Sequence, residues 1–160
     1  MDVKFPPYLT IRTARSLVNK CEEALGSRQR DVNFDLSISV FSDPFAVTLL
    51  AGAIKACVKK GHRVQFVKPN VKKLDEWFDS IGFYASGGAD PGSAKYSERQ
   101  VELRRFSNLD PTYTEQVLGV LCNDIRMSER VRDSLRMSVN EMLTNAFDHS
   151  QSPEGCLISA

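Results

Sequence analysis

No CxxC pair, no histidine cluster and no long apolar run occur in this chain. Its histidines are His62 and His149, and Cys21, Cys57, Cys122 and Cys156 are scattered. That pattern argues against a tetrahedral zinc site, and it leaves no Ser-His-Asp or Cys-His constellation with a supporting motif. Charge of one sign is lacking too. There are 21 Lys and Arg against 20 Asp and Glu, a formal net charge of +1, which gives no electrostatic case for nucleic acid or an anionic membrane surface. No apolar run reaches the ~20 residues that span a bilayer. Met1-Asp2-Val3-Lys4-Phe5-Pro6-Pro7 lacks the charged head and apolar core of a signal peptide. Unpaired thiols fit a reducing compartment, so the expected location is cytoplasmic, without membrane or nucleic-acid partners.

The length of 160 residues suits one medium domain or two small ones. Pro6-Pro7 keeps the first residues extended. Ile11–Leu25 reads as a helix, with Ala14, Leu17, Val18, Cys21 and Leu25 on one stripe and Gly26 as the stop. From Val32 to Phe41 the residues Val32, Phe34, Leu36, Ile38 and Val40 alternate with Asn33, Asp35, Ser37 and Ser39, which predicts a strand with one buried and one polar face. Asp43-Pro44 reads as an N-cap followed by proline at the first helical position. The helix it opens carries Phe45, Leu49, Leu50, Ala53, Ile54, Cys57 and Val58 and closes on Lys59-Lys60-Gly61. A short strand, Arg63–Val67, and a helix bearing Val71, Leu74, Trp77, Phe78 and Ile81 follow, with Gly82 as terminator. This order predicts an α/β module with parallel strands and right-handed crossovers.

Ser86–Ser93, rich in glycine, reads as a loop or linker. Gly87 and Gly92 have P-loop spacing, but Ser93-Ala94 stands where the Lys-Ser/Thr pair would be needed. Gln100–Phe106 is a candidate strand. Asp110-Pro111 opens a helix whose stripe is Val117, Leu118, Leu121 and Ile125, Ser128 caps a helix over 130–150, and Cys156–Ser159 begins a strand. Lys59, Lys60, His62, Arg63, Lys72 and Lys73 form the densest basic cluster, placed as a solvated surface at a helix end and a helix start. A small-molecule site around Asp35 has no specific motif behind it.

One motif carries more chemistry. In Asn140-Glu141-Met142-Leu143-Thr144-Asn145-Ala146-Phe147-Asp148-His149-Ser150, a helix at ~100° per residue puts Glu141, Asn145, Asp148 and His149 on one face. Val139, Met142, Leu143 and Ala146 are expected to point largely the other way. A carboxylate and an amide one turn apart can orient a water and offer oxygen to a hard cation. Asparagine is a poor mid-helix residue because its side chain competes for the backbone, so its presence there asks for another use.

This helix resembles the N-box helix of the GHKL ATPase superfamily (the gyrase, chaperone and histidine-kinase type). It is most similar to that of the anti-sigma factor serine kinases, which reads Glu-x-x-x-Asn-Ala-x-x-His. The resemblance implies that Glu141 is the polarising, catalytic carboxylate and that Asn145 ligates the magnesium of Mg-ATP. His149 and Asp148 would then lie beside the nucleotide. Asp148 stands where many sensor kinases place a basic residue for phosphate. Val32–Tyr84, in turn, resembles a STAS domain, the fold of anti-sigma factor antagonists. Phosphorylated members carry an Asp-Ser-Ser-Gly-like turn before a helix; here Phe41-Ser42-Asp43-Pro44-Phe45 puts an acidic residue or proline at that serine position.

The expected organisation is an α/β chain with a STAS-like module at residues 1–85, a linker and strand at 86–107, and the helical hairpin opening a GHKL-type sandwich at 108–160. The family's adenine-binding Asp-x-Gly-x-Gly segment and lid follow the N-box, and the chain contains neither. The expectation is therefore a regulatory ATP-binding protein that, over this stretch alone, binds Mg-ATP weakly or not at all and is inactive as an enzyme. The helices are expected to seek another cover, on the module or in a homodimer, leaving Cys156–Ser159 as an open edge. A regulatory partner protein is the other expected contact. The alternative is a non-enzymatic STAS-like interaction module.

Overall fold

Alternation of apolar and polar side chains across Val32–Asp35 produces the central strand of a parallel sheet. A computed structural model describes residues 1–88, 104–106, 111–122, 125–150 and 156–158, and the chain divides into two units, Met1–Lys95 and Tyr96–Ala160. In chain order the first unit holds β1 (Asp2–Lys4), β2 (Tyr8–Leu9), a 3-10 turn, α1 (Ala14–Leu25), β3 (Asp31–Asp35), β4 (Phe41–Ser42), α2 (Pro44–Lys59), β5 (Arg63–Val67), α3 (Lys72–Ser80) and a second 3-10 turn at Tyr84–Gly87. Strands β1, β3 and β5 pair in parallel in that order, and β2 pairs in parallel with β4. The α/β architecture with parallel strands is thus present.

The sheet is two-faced. Val3, Phe34 and Phe66 share one row and face inward, while the rows Asp2–Asn33–Gln65 and Lys4–Asp35–Val67 face outward. Parallel sheets are ordinarily covered on both sides; here the outward face is polar, and Asn33 Nδ2 donates to Asp2 Oδ1 at 3.0 Å across it. Phe5, Phe34, Phe66, Phe83 and Phe78 form a continuous run of rings beneath the inward face, with successive centroids 5.4, 6.2, 5.8 and 4.7 Å apart.

The strand expected from Val32 to Phe41 stops at Asp35. Asp35 Oδ1 accepts the Ser37 N–H at 2.9 Å and the Ser39 N–H bonds Leu36 O at 2.8 Å, a local turn that outcompetes further pairing. Ser39 is buried and donates to Pro6 O at 3.1 Å, whereas Ile38 and Val40 are exposed. The alternation beyond Leu36 is therefore a turn whose polar member faces the core. Hydrogen bonding from Ser37 holds the Asp35 carboxyl below the usual carboxylate range, and that structural role accounts for this residue.

Helix ends follow the sequence signals closely. Asp43 Oδ1 accepts the Ala46 N–H at 2.9 Å, with Pro44 in the first turn. At the far end of α2, the N–H groups of Gly61 and His62 bond Val58 O and Cys57 O; those of Gly82 and Phe83 do the same to Asp79 O and Phe78 O after α3. Both are Schellman motifs, which need a left-handed residue, and Gly61 (φ 87°) and Gly82 (φ 74°) supply it. Phe83 then stacks on Phe78, the hydrophobic contact that accompanies the motif. Phe45, expected on the buried stripe of α2, is exposed; Ala46, Val47, Leu50, Ala53, Ile54 and Cys57 form the inner face.

Cys21 and Cys57 are buried thiols on α1 and α2. Burial pushes the Cys21 pKa from 9.0 up to about 11, with the Cys57 and Glu22 charges adding to the effect. At neutral pH that lowers its thiolate fraction about a hundredfold. Native-state alkylation of Cys21 should therefore be slower than that of a free thiol by at least that factor, as peptide mapping after a timed pulse would show. Because the folded pKa is raised, the unfolded chain loses this proton first. Cys21 should thus subtract stability as pH rises from 9.0 toward about 11, and have no effect below that window.

The second unit contains β6 (Arg104–Phe106), α4 (Pro111–Cys122), α5 (Glu129–Ser150) and β7 (Cys156–Ile158). Strands β6 and β7 pair antiparallel, Arg104 opposite Ile158 and Phe106 opposite Cys156. The expected open edge at Cys156–Ile158 is thus paired along one side from within the chain; Ser159 lies outside the described residues, as do 89–103 with most of the expected linker. No helix among the described residues is long and apolar enough to cross a membrane.

Candidate functional site

Helix α5 owes its orientation to a small core shared with α4. Tyr113, Val117 and Leu118 pack with Val139 and Leu143, and Val120, Cys122 and Leu135 close the margin. Leu121 and Ile125, expected on this stripe, are exposed. Helix α4 ends at Cys122, so its period does not carry to Ile125, and the buried side facing α5 is made by Tyr113, Thr114, Val117 and Leu118; the exposure of Leu121, on that same side, has no explanation in the period. On α5 the seam runs Leu135, Val139, Leu143, an i, i+4 stripe. Met142 and Ala146, expected within it, are exposed.

Two polar contacts fix the pair. Thr114, buried, donates from Oγ1 to Asn140 Oδ1 at 2.9 Å. Arg136 donates from Nε to Glu115 Oε1 and from Nη1 to Asp133 Oδ1, both at 2.8 Å. The bond from Arg136 holds the Glu115 carboxyl below its usual range, and Glu115 in turn raises the guanidinium. Asn140 thus has a positioning role that composition alone did not assign; its only sequence signal was an amide beside an apolar seam residue.

Taking ~100° per residue, Val139 and Leu143 lie about 160° and 200° around the helix from Glu141. Asn145, Asp148 and His149 fall within about 80° of Glu141 on the opposite side. All four are exposed, as the sequence pattern required of one polar face. From Glu141 to His149 the face extends about 12 Å along the axis. Among the described residues none of the four side chains makes a hydrogen bond or ion pair, although Ser134 and Ser138, higher on the same side, each donate to a backbone carbonyl four residues back. Asn145 therefore keeps its amide oxygen available instead of spending it on the helix.

The donors present are hard oxygens: one amide and two carboxylates, with an imidazole at the end of the row. Among the described residues no group of three or more His, Cys, Asp or Glu could hold a metal by itself. Such a face fits magnesium only as a contributor, with phosphate oxygens and water completing the shell.

The other sequence candidates resolve into structural roles. Lys60 Nζ donates to Leu25 O at 3.1 Å, His62 Nδ1 lies 2.9 Å from Gln29 O, Arg63 pairs with Asp31 at 3.4 Å and Lys72 with Glu76 at 3.4 Å. Ser86 and Gly87 belong to the second 3-10 turn, where a Cβ on Gly87 would meet the Phe66 ring at 2.8 Å; that close approach accounts for the glycine. Residues 89–93 of the glycine-rich loop lie outside the described residues. Comparison of the chain with protein-family models, with curated proteins and with solved structures returns no match.

Proposed function

We propose that the chain is a regulatory ATP-binding protein of the histidine-kinase-like GHKL type, with a STAS-like module preceding the ATPase-type helices. The observation that carries this is the exposed row Glu141–Asn145–Asp148–His149, set opposite the seam that packs α5 on α4. The strand-helix-helix-strand order of β6, α4, α5 and β7 supports it, since an opening of this kind can be extended into an α/β sandwich. Asn145 Oδ1 would be a protein ligand of nucleotide-bound magnesium, and Glu141 would orient a water or reacting hydroxyl and accept its proton. His149 and Asp148 would contact the nucleotide beyond them. Bound magnesium would supply charge neutralisation on the phosphate oxygens. The STAS-like module would take the regulatory partner protein.

One wall of a site binds weakly. Titration of the full chain with Mg-ATP, followed by amide NMR shifts, is expected to give a millimolar dissociation constant with perturbations centred on α5. Both should disappear in Asn145→Ala and on chelating the magnesium. A micromolar constant would show that a more complete site exists than this row provides. Absence of any α5 perturbation at saturating Mg-ATP would favour the non-enzymatic interaction module instead.

A further inference from the structure

At the amino-terminal edge of the parallel sheet the fold joins two basic loops that are far apart in sequence. Residues 26–30 lead from α1 into β3 and residues 60–62 from α2 into β5, and the two strands start in register, Asp31 opposite Arg63. The Arg63 N–H donates to Arg30 O at 2.6 Å, Lys60 Nζ donates to Leu25 O at 3.1 Å, and His62 Nδ1 lies 2.9 Å from Gln29 O. The loops are thereby tied to each other as well as to the sheet. Arg28, Arg30, Lys59, Lys60 and Arg63 are all exposed along this edge. Against these five cations stands Asp31, 3.4 Å from Arg63, with both side chains more than half exposed. On α1, Glu23 is paired with Lys20 at 2.7 Å and Glu22 lines the groove between α1 and α2. The helix dipole accounts for lysines at the end of α2. It does not account for Arg28, Arg30 and Arg63, which lie beyond the helices. Among the described residues the side chains of Arg28 and Arg30 make no hydrogen bond or ion pair. Lys72 and Lys73, near this cluster in sequence, follow the carboxyl end of β5 and so lie at the opposite edge of the sheet.

We infer that this edge docks an acidic segment of a partner protein, one that presents a short run of Asp and Glu. Guanidinium groups meet carboxylates through a fork of two N–H donors, and phosphate offers the same fork. Size and composition select the carboxylates. Packed helices lie ~8–10 Å apart and neighbouring strands ~4.8 Å, so the edge is about 10 Å across and takes about three or four residues of extended chain. A nucleic-acid track of ~6–10 phosphates is longer than that. Residues 26–31 and 59–63 contain no Phe, Tyr or Trp to stack a base and no large aliphatic side chain to enter a bilayer. The formal net charge of +1 also gives the chain no long-range pull on an extended polyanion. Main-chain bonds between the loops reduce the ordering cost of binding. This surface needs neither the nucleotide-facing row of α5 nor a family assignment.

The probe is a capped hexaglutamate peptide, added to the full chain at ~50 mM salt and followed by amide NMR shifts. Perturbations are expected at residues 28–31 and 59–63, with a dissociation constant on the order of 0.1–1 mM. Arg28→Glu/Arg30→Glu should weaken binding about tenfold with unchanged circular dichroism. Lys72→Glu/Lys73→Glu changes the net charge by the same amount at the other edge and should leave binding within about twofold. If the arginine pair does not fold as Glu, Arg28→Gln/Arg30→Gln gives the same reading with a smaller loss. An oligothymidylate of equal charge and vesicles of phosphatidylserine and phosphatidylcholine are expected to bind more weakly than the peptide. Absence of shifts with hexaglutamate would overturn the inference, and equal weakening by the two charge reversals would reduce it to diffuse attraction and overturn it too. Tighter binding of the oligonucleotide or the vesicles at the same residues would overturn it in favour of that partner.

Discussion

Leu118→Ala is expected to unfold the helical pair of the second unit. Leu118 is fully buried, and among the described residues Tyr113, Val117, Val139 and Leu143 are the further buried members of the core around it. Truncating a buried leucine typically costs about 2–5 kcal/mol, the transfer term plus the cavity left behind. Whole domains are stable by only ~5–15 kcal/mol, so a loss of that size is a large fraction of the unit's stability. Among the described side chains the polar contacts between α5 and its surroundings include Thr114–Asn140 and the Arg136 ion pairs, which are partly exposed; exposed ion pairs add ~0–1 kcal/mol each. Hydrogen exchange should show the amides of α4 and α5 losing most of their protection, and with it the orientation of the Glu141–Asn145 face. Unchanged protection in α5 would mean that something other than the α4 seam holds it.

Phe78→Ala should have the largest effect on the first unit. Phe78 is fully buried and does two jobs. It is the inner end of the ring series that begins at Phe5, stacked on Phe83 at 4.7 Å and near Trp77 and Tyr84 at 5.5 and 6.1 Å. It is also the residue whose carbonyl and side chain close the Schellman motif at Gly82. Removing a buried phenylalanine ring costs about 3–5 kcal/mol, which in a unit of this size lowers the melting temperature by on the order of 15–30 °C. Tyr84 would suffer with it: its hydroxyl donates to Asp75 Oδ1 at 2.6 Å and Lys68 lies 4.6 Å from its ring centre. Calorimetry on the variant reads this directly, and a loss below about 1 kcal/mol would mean that the rings are independently packed.

Where the sequence could be read, local chemistry and tertiary need coincided. Asp43-Pro44, Lys59-Lys60-Gly61 and Gly82 each carry their own backbone instruction, so α2 and α3 were placed to within a residue or two. Arg63–Val67 is bounded by such signals on both sides. β1 was not legible as a strand, because Asp2–Lys4 has a single apolar residue, Val3, and its pairing is contributed by β3, some thirty positions later. The Leu36–Val40 turn mimics a strand because alternation does not say which face Ser39 takes; only its bond to Pro6 O does. On α5 the period left two adjacent stripes open, Met142/Ala146 and Leu143. The choice fell to Leu143 because Leu118 and Val117 come from that side. The polar row survived that correction, since either stripe leaves Glu141 and Asn145 outside. What one chain's pattern could not supply was a purpose for the row, and the GHKL resemblance remains the basis for assigning it one.

The measurement that bears most directly on this assignment is paramagnetic broadening of the labelled chain by Mn-ATP. Manganese takes the same oxygen ligands as magnesium and reports its own position. Broadening is expected to peak at Asn145, extend over Glu141, Asp148 and His149, and vanish in Asn145→Ala with the helical spectrum retained. Broadening that centres elsewhere, or that survives Asn145→Ala unchanged, would contradict the claim that this face of α5 meets a nucleotide-bound metal.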